Sequence, residues 1–410
     1  MTIRSVVIVG AGQAGFQTAL SLRQEGFSGK VVLIGDEPGL PYQRPPLSKA
    51  YLFGKVGLDA LRFRQEKFYG DHRIEVRHDL VAAIDRTNRS VILGSGTSVP
   101  YDHLVLAVGA HNRALPVPGA ELDGVLGLRT LADADALRVR LKEARNVVVV
   151  GAGFIGLEFA AVANTLGANV HVLELADRAM GRAVTPEMSS LFADAHRSWG
   201  VHLEFRQGLS GIEGSQGKVS AVKTTHGGRL PADLVVFGVG VLPNVQLAAE
   251  AGLDVENGIR VDAHLVTSDP AISAIGDCAQ FPSLEAGGTV RLESVQNATD
   301  QARTVAARLA GKPARPYAAV PWFWTDQGDL KLQMVGLVQG CDETVILGSA
   351  ETRSLSVLCF RHKHLIAVES VNRAADHVAA RRLLARTSTL SPQEAAALRF
   401  DLKTYEALSR

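Results

Sequence analysis

The chain contains few cysteines, three among 410 residues. Cys278, Cys341 and Cys359 are widely separated and form neither a C-x-x-C nor a C-x4-C pattern. This spacing disfavours a redox-active dithiol, and it disfavours an iron–sulfur or zinc site bound by the chain's own cysteines. We therefore expect no metal site. Cys278 is expected to be a small buried residue and not a nucleophile.

A net charge of either sign is also missing, because 43 Lys and Arg residues balance 42 Asp and Glu residues. Without a basic excess, the sequence predicts no nucleic-acid partner. The longest apolar stretch, residues 147–163, is interrupted by glycines and by Glu158, which argues against a membrane span. The amino terminus runs directly into a strand pattern with no secretory signal, so we expect a cytoplasmic protein without membrane contact.

The most informative feature of the sequence is a glycine pattern that occurs twice. Residues 6–15 and 147–156 each join a run of Val and Ile to G-x-G-x-x-G. Glycine permits the tight turn, the approach of a pyrophosphate to the backbone, and close packing of helix on strand. The helix that follows presents unpaired N–H groups and its positive dipole end to the phosphates. The pair of motifs therefore predicts two dinucleotide sites.

An acidic residue follows each motif at the end of the next predicted strand. These residues are Asp36 and Glu174. A carboxylate there accepts hydrogen bonds from a ribose 2′-hydroxyl and repels a 2′-phosphate, so Glu174 favours NADH over NADPH. Arg178 and Arg182 lie close behind Glu174, and how far they temper this preference stays open. The alternative is that both acids only end strands as solvated polar residues.

The motif order indicates a nested arrangement, and the chain length suits two or three domains. Residues 1–112 have a strand–helix–strand pattern with a loop-rich insert, and residues 113–242 contain the second nucleotide fold. Residues 243–319 return to the first domain, because Asp277 follows another short strand. Residues 320–410 are rich in β-type runs and predict a separate α+β domain. The predicted class is α/β, with one Rossmann-like dinucleotide-binding domain inserted in another.

Short segments beyond the glycine motifs complete the pattern. Residues 44–52 read RPPLSKAYL, residues 293–298 read ESVQNA, residues 321–327 read PWFWTDQ, and Gly276-Asp277 ends a strand. With the two glycine motifs, this order resembles the flavoprotein reductases of the glutathione reductase superfamily, which bind two dinucleotides. The finer pattern covers nearly the whole chain and is similar to the putidaredoxin reductase-like ferredoxin reductases of bacterial oxygenase systems.

The resemblance implies an electron relay. In that family, FAD takes a hydride from NADH and passes single electrons to a small 2Fe-2S ferredoxin, which supplies a cytochrome P450 or a Rieske oxygenase. The resemblance also implies that residues 1–112 and 243–319 form the FAD-binding domain and that residues 113–242 form the NADH-binding domain. The missing dithiol agrees with this branch and counts against the disulfide reductases.

A ferredoxin partner implies a docking surface on this chain. Small ferredoxins of such systems are acidic, so we expect a transient complex steered by basic residues. The candidates are Arg64, Arg303, Arg308, Lys312, Arg381, Arg382 and Arg386. The oligomeric state stays open between a monomer and a weak dimer.

Two other functions stay open. One is an NADH-dependent flavoenzyme whose acceptor is rubredoxin, a quinone or monodehydroascorbate. The other is a flavoprotein with binding or signalling work, similar to apoptosis-inducing factor. The near-zero net charge and the lack of a localisation tail disfavour the second.

The resemblance also implies which residues contact FAD. The pyrophosphate turn matches Gly10, Gly12, Ala14 and Gly15, and Asp36 matches the ligand of the adenosine ribose. The other matching positions are Arg44, Pro45, Lys49, Val81, Arg129, Gly276, Asp277, Val295 and Trp322. An amine such as that of Lys49 stabilises negative charge on the reduced ring, which requires a fixed donor. For Trp322 and its neighbour Trp324, packing at a domain interface is the alternative.

Glu158 lies in an otherwise apolar helix start just after the second motif. A buried acid needs a partner. The resemblance places this carboxylate near both the nicotinamide and the lysine that matches Lys49, so we expect a Lys49–Glu158 ion pair that the incoming nicotinamide shares. Compensation of the helix dipole on a solvated face is the alternative. The positions expected to bind NADH are Gly151, Gly153, Ile155, Gly156, Glu158, Glu174, Gly240 and Glu293. No general acid or base is expected, because the hydride moves directly between the cofactors.

Overall fold

A computed structural model describes residues 3–386, 388–397 and 400–409, and the chain divides into two compact units. Unit 1 comprises Met1–Gln43, Leu58–His111 and Leu242–Pro321. Unit 2 comprises Arg44–Gly57, Asn112–Val241 and Trp322–Arg410.

Strands alternate with helices around each glycine motif, and elsewhere several strands follow one another directly. The first strands are β1 (Ser5–Val9), β2 (Lys30–Gly35), β3 (Ile74–His78), β4 (Val81–Asp85), β5 (Ser90–Leu93), β6 (Ser98–Pro100), β7 (His103–Leu106), β8 (Ala110–Asn112) and β9 (Val125–Gly127). Then come β10 (Asn146–Val150), β11 (Asn169–Glu174), β12 (His202–Phe205), β13 (Leu209–Ser215), β14 (Lys218–Thr224), β15 (Arg229–Pro231), β16 (Leu234–Phe237) and β17 (Val241–Pro243). The last are β18 (Ile259–Arg260), β19 (Ile272–Ala274), β20 (Ala279–Ser283), β21 (Gly288–Val290), β22 (Trp322–Gln327), β23 (Leu330–Gly336), β24 (Glu343–Ser349), β25 (Ser354–Arg361) and β26 (His364–Val371).

Fewer helices than strands are described. They are α1 (Gln13–Gln24), α2 (Leu58–Leu61), α3 (Glu66–Asp71), α4 (Leu131–Leu141), α5 (Phe154–Thr165), α6 (Pro186–Trp199), α7 (Gln246–Glu250), α8 (Val295–Leu309), α9 (Ala374–Leu384), α10 (Pro392–Ala395) and α11 (Leu402–Leu408). Two short 3-10 helices span Pro45–Ser48 and Gly276–Cys278. Among the residues with a described structure, no helix is both long and apolar enough to cross a membrane.

Unit 1 is built on a parallel sheet with strand order β19-β7-β1-β2-β3. β1 lies at its centre, and its residue Val7 pairs with Val32 on one side and Leu104 on the other. The Val and Ile side chains of β1 are buried on both faces, which is typical of a central parallel strand. Helices α1 and α8 contact each other, and both contribute to one apolar core.

Residues 74–100 of unit 1 differ from the loop-rich insert that the sequence predicted. They form β3 at the edge of the parallel sheet and an antiparallel sheet with order β4-β5-β6. These strands are short, and polar turn residues separate them, so their apolar alternation is too brief to identify from sequence. The expectation of loops was wrong here.

Unit 2 contains a second parallel sheet, with order β12-β11-β10-β16-β9. Val148 of the central strand β10 pairs with His171 and Val235 on its two sides. An antiparallel sheet, β13-β14-β15, follows β12 in the chain. The last part of the unit is an antiparallel sheet of order β22-β23-β26-β25-β24, against which α9 packs. Two Rossmann-like folds and a carboxyl-terminal α+β fold confirm the predicted class.

Candidate functional site

The first glycine turn lies between β1 and α1 in unit 1. Gly10 has a φ of +103°, and a Cβ added there would lie 2.2 Å from the carbonyl oxygen of Ala107. A Cβ on Gly15 would lie 1.8 Å from the carbonyl oxygen of Gly10. Packing therefore requires both glycines. At Gly12, in contrast, no described atom lies within 4 Å of an added Cβ, and this open space suits a pyrophosphate that approaches the backbone.

The second glycine turn, between β10 and α5 in unit 2, has the same design. Gly151 has a φ of +101°, and its added Cβ would lie 2.6 Å from the carbonyl oxygen of Gly238. A Cβ on Gly156 would lie 2.1 Å from the carbonyl oxygen of Gly151. At Gly153 the nearest atom would be 3.9 Å away. In both turns, packing requires the first and last glycines, while the space at the middle glycine is open. Both turns can therefore accommodate a dinucleotide.

Gly276 and Ala14 come together in unit 1. A Cβ on Gly276 would lie 3.1 Å from that of Ala14, and the Gly276 N–H donates to Oε1 of Gln301 over 2.7 Å. Asp277 follows in the 3-10 helix, and its carbonyl oxygen accepts a hydrogen bond from Arg291. Two separate motifs thus meet at the start of α1.

Arg291 also joins Glu293 to this region. Its guanidinium lies 2.7 Å from the Glu293 carboxylate, in the same unit as the first turn. Val295 opens α8 directly after Ser294, whose side chain caps the helix. Asp36 lies exposed at the end of β2, beside the turn. Val81, in contrast, is buried in the core among strand residues.

Glu174 ends β11 next to the second turn. Its Oε2 accepts the N–H of Ala152 over 2.7 Å, and its Oε1 accepts the N–H of Ala176 over 2.8 Å. These bonds fix the carboxylate beside the turn and leave lone pairs for a ribose. The Arg178 guanidinium donates to two backbone carbonyls, those of Val184 and Gly181, so it is already engaged.

Two further predicted positions, Ile155 and Gly240, lie near this turn. Ile155, in the first turn of α5, is 43% exposed. Its neighbour Phe154 packs on Phe323 with ring centroids 4.7 Å apart. A Cβ on Gly240 would lie 3.6 Å from Nη2 of Arg182.

The ion pair expected from the sequence is present in unit 2. Nζ of Lys49 lies 2.7 Å from Oε1 of Glu158, whose side chain is only 3% exposed. Lys49 follows the 3-10 helix that begins at Pro45, and its amine also lies 3.5 Å from the Pro45 carbonyl oxygen. The Lys49 side chain is 20% exposed, so it can still meet a ligand.

Arg44 and Arg129 are joined in the same unit. Nη1 of Arg44 donates to the Arg129 carbonyl oxygen over 2.8 Å, and the Arg129 N–H donates to Asp133. Trp322 lies in β22 with its ring centroid 5.6 Å from that of Trp324. The guanidinium of Arg381 stacks over the Trp322 ring at 4.7 Å.

Two site residues carried no prediction. The hydroxyls of Ser48 and Thr325 both donate to the Glu158 carboxylate, the second over 2.6 Å. Both residues lie in segments that the sequence singled out. Their partner could not be identified, because it is 110 and 167 residues away along the chain.

The structure also places the cysteines and one of the basic docking candidates. Cys278 is fully buried, as expected, and burial raises the pKa of its thiol to about 11. Within the described segments, no three His, Cys, Asp or Glu side chains are grouped so as to hold a metal ion. Arg308 is half-buried and its guanidinium donates to Ser273 over 2.7 Å, so it is already engaged, and its docking role stays a prediction.

Two known protein families match most of the chain. Residues 4–302 match the pyridine nucleotide-disulphide oxidoreductase family, and residues 322–406 match a reductase carboxyl-terminal family. Rhodocoxin reductase of Rhodococcus erythropolis is 50% identical over 400 residues, which span 97% of this chain and 93% of that protein.

Two solved structures are similar over their full length. The ferredoxin reductase for the CYP199A2 system from Rhodopseudomonas palustris is 54% identical, with a TM-score of 0.96, over 98% of this chain and 100% of the other. A chain of the covalent putidaredoxin reductase–putidaredoxin complex is 40% identical, with a TM-score of 0.96, over 100% of this chain and 99% of the other.

Proposed function

This chain belongs to the pyridine nucleotide-disulphide oxidoreductase family, and we propose that it is an NADH:ferredoxin reductase that supplies an oxygenase. As a member of that family it is an FAD-dependent oxidoreductase that uses a pyridine nucleotide. The observation that carries the proposal is its full-length likeness to rhodocoxin reductase, to putidaredoxin reductase and to the ferredoxin reductase for the CYP199A2 system. The proposed acceptor is a small 2Fe-2S ferredoxin, which passes electrons to a cytochrome P450 or a Rieske oxygenase.

The proposed reaction converts one NADH and two oxidised ferredoxins to NAD+, one proton and two reduced ferredoxins. FAD, when bound, supplies a hydride acceptor that releases its electrons one at a time. The residues of the chain bind and align the two dinucleotides and exclude water. None of its histidines is required as an acid or a base.

The two glycine turns are the proposed pyrophosphate sites. Gly12 offers an open backbone at the start of α1 for FAD, and Gly153 offers one at the start of α5 for NADH. In each, the first N–H groups of the helix would bind the phosphates of the dinucleotide, and the helix dipole would stabilise their charge. Asp36 is the proposed ligand of the FAD ribose.

Glu174 supports NADH as the preferred donor. Two backbone N–H groups hold its carboxylate beside the turn, where it can accept from a ribose 2′-hydroxyl and repel a 2′-phosphate. Arg178 donates to backbone carbonyls and is not available to bind that phosphate. Arg182 remains as an exposed cation close to Gly240.

Lys49 is the residue that we propose stabilises negative charge on the reduced flavin ring. Glu158 and the Pro45 carbonyl hold its amine in place, so its positive charge needs no rearrangement when negative charge develops on a reduced ligand. The same Glu158 carboxylate is the proposed contact of the nicotinamide. The remaining predicted positions stay proposals of FAD or NADH contact.

An acceptor panel tests this function. The FAD-loaded enzyme is assayed with NADH and, in parallel, a 2Fe-2S ferredoxin, a rubredoxin, a quinone and monodehydroascorbate. We expect the ferredoxin to be reduced most efficiently, with a rate that falls as salt is added because the encounter is electrostatic. A higher kcat/KM for any of the other acceptors would overturn the assignment. A cytoplasmic location is part of the proposal, and cell fractionation tests it.

A further inference from the structure

The Glu158 carboxylate receives three donors from three parts of unit 2. Lys49 and Thr325 both approach Oε1, at 2.7 Å and 2.6 Å, and Ser48 donates to Oε2. Ser48 belongs to the 3-10 helix before Lys49, Glu158 to α5, and Thr325 to β22 of the carboxyl-terminal sheet. Glu158, Ser48 and Thr325 are all buried, so water does not compete for these bonds.

Behind Thr325 the hydrogen bonds continue in one direction. Nε2 of Gln327 donates to the Thr325 hydroxyl over 3.2 Å, and Nε2 of His196 lies 2.8 Å from Oε1 of Gln327. Nδ1 of His196 has no partner among the described residues, so its proton is assigned to Nε2. Burial lowers the pKa of His196 to about 4, which keeps this ring neutral. Each group therefore donates towards Glu158, and aligned donors of this kind strengthen one another.

We propose that Thr325 is a positioning residue for the redox chemistry, which fixes the Glu158 carboxylate and, through it, the Lys49 amine. This inference rests on the proposed function, since it assigns Lys49 and Glu158 to the cofactors. The Thr325 hydroxyl has one proton, and because the Gln327 amide nitrogen can only donate, that proton is directed to Glu158. The carboxyl-terminal sheet thereby takes part in the geometry of the ion pair.

Thr325→Val tests this role with little change in shape. Valine suits a strand, but it places a methyl group where the hydroxyl lay 2.6 Å from Oε1, and carbon and oxygen atoms need about 3.3 Å. The carboxylate must move by several tenths of an ångström and loses one donor. Thr325→Ser keeps the hydroxyl and is the conservative variant.

The matched control is Thr344→Val. Thr344 also donates to a glutamate, Glu187, over 2.8 Å between the carboxyl-terminal sheet and α6, but it is not bonded to Glu158. We expect Thr325→Val to lower the limiting rate of flavin reduction by NADH roughly ten- to hundredfold, with the Kd for NAD+ within about twofold of the parent value. Thr325→Ser and Thr344→Val are expected to keep the parent rate within about twofold.

Two measurements separate positioning from general destabilisation. Combined with Glu158→Gln, Thr325→Val is expected to add no further loss of rate, because both changes act through one carboxylate. Acetylation of Lys49, measured by mass spectrometry relative to the exposed Lys312, is expected to rise in Thr325→Val and not in Thr344→Val. If Thr325→Val does not fold, Thr325→Ala serves instead, because it removes the same hydroxyl without adding a methyl group, with the same expected direction at Lys49.

Additive losses with Glu158→Gln, or unchanged Lys49 labelling in a folded Thr325→Val variant, would overturn the proposal. An equal loss of rate in Thr344→Val would do so too. The labelling result does not depend on any electron acceptor. A chain that reduces no ferredoxin would therefore refute the proposed function and leave this test intact.

Discussion

Glu369 makes the stability of this protein depend on pH. It lies in β26 with no exposure to solvent, and its carboxylate accepts the N–H and the hydroxyl of Thr185, the N-cap of α6. Burial raises the pKa of Glu369 to about 7, while the bonds from Thr185 lower it. The charge of Glu187 raises the pKa further, and that of Arg178 lowers it.

Whether stability rises or falls with pH depends on how many protons the folded and unfolded states bind. The ordinary pKa of a glutamate is 4.5, so between pH 4.5 and about 7 the folded chain holds a proton that the unfolded chain has lost. The contribution of Glu369 to stability is therefore complete below pH 4.5 and is lost as the pH rises to about 7. At about 1.4 kcal/mol for each pH unit, the loss approaches ~3 kcal/mol.

Glu369→Gln removes the titration and keeps an oxygen that accepts from Thr185. We compare the unfolding free energy of the variant with that of the parent protein at each pH. We expect this difference to be more favourable to the variant at pH 8 than at pH 5, by up to about 3 kcal/mol. Thermal and urea unfolding of the apoprotein at the two pH values measure this difference. Glu343→Gln, at an exposed position of the same sheet, is the control and should show no such dependence. An equal effect of Glu369→Gln at pH 5 and pH 8 would refute the reasoning.

Two further predictions concern the nucleotide sites. Glu174→Ala removes the proposed partner of the NADH ribose, and we expect NADH binding to weaken by about tenfold while NADPH binding does not, as titration of the two nucleotides would reveal. Unchanged discrimination between them would exclude Glu174 as the specificity residue. Gly12→Ala fills only open space, so we expect a folded protein with reduced FAD content. Gly10→Ala places a Cβ 2.2 Å from a carbonyl oxygen, so we expect it to lower the melting temperature even without FAD. Full FAD content in Gly12→Ala, measured by absorbance, would contradict the pyrophosphate assignment.

The parts of the site that could be predicted are those with local causes. Each glycine turn follows a run of Val and Ile that can only be a buried strand, so its position was evident from sequence. That Glu158 needs a partner was predictable because it lies in the apolar start of α5, and the family resemblance identified that partner as Lys49.

The parts that could not be predicted depend on distant contacts. The hydroxyl of Thr325 could bond to many acceptors, and only the folded chain brings it to Glu158. Arg308 carries the charge expected of a docking residue, yet the fold turns it towards Ser273. The strands β4, β5 and β6 are too short for their periodicity to distinguish them from loops, and they are stabilised by pairing with one another.

The most direct test of the account is an anaerobic titration. A catalytic amount of the FAD-loaded enzyme is mixed with oxidised 2Fe-2S ferredoxin. A known amount of NADH, less than the ferredoxin can consume, is then added, and the ferredoxin spectrum is recorded. The account predicts that two ferredoxins are reduced for each NADH consumed. Flavin that is reduced by NADH but passes no electrons to the ferredoxin, while it does reduce a rubredoxin or a quinone, would contradict it.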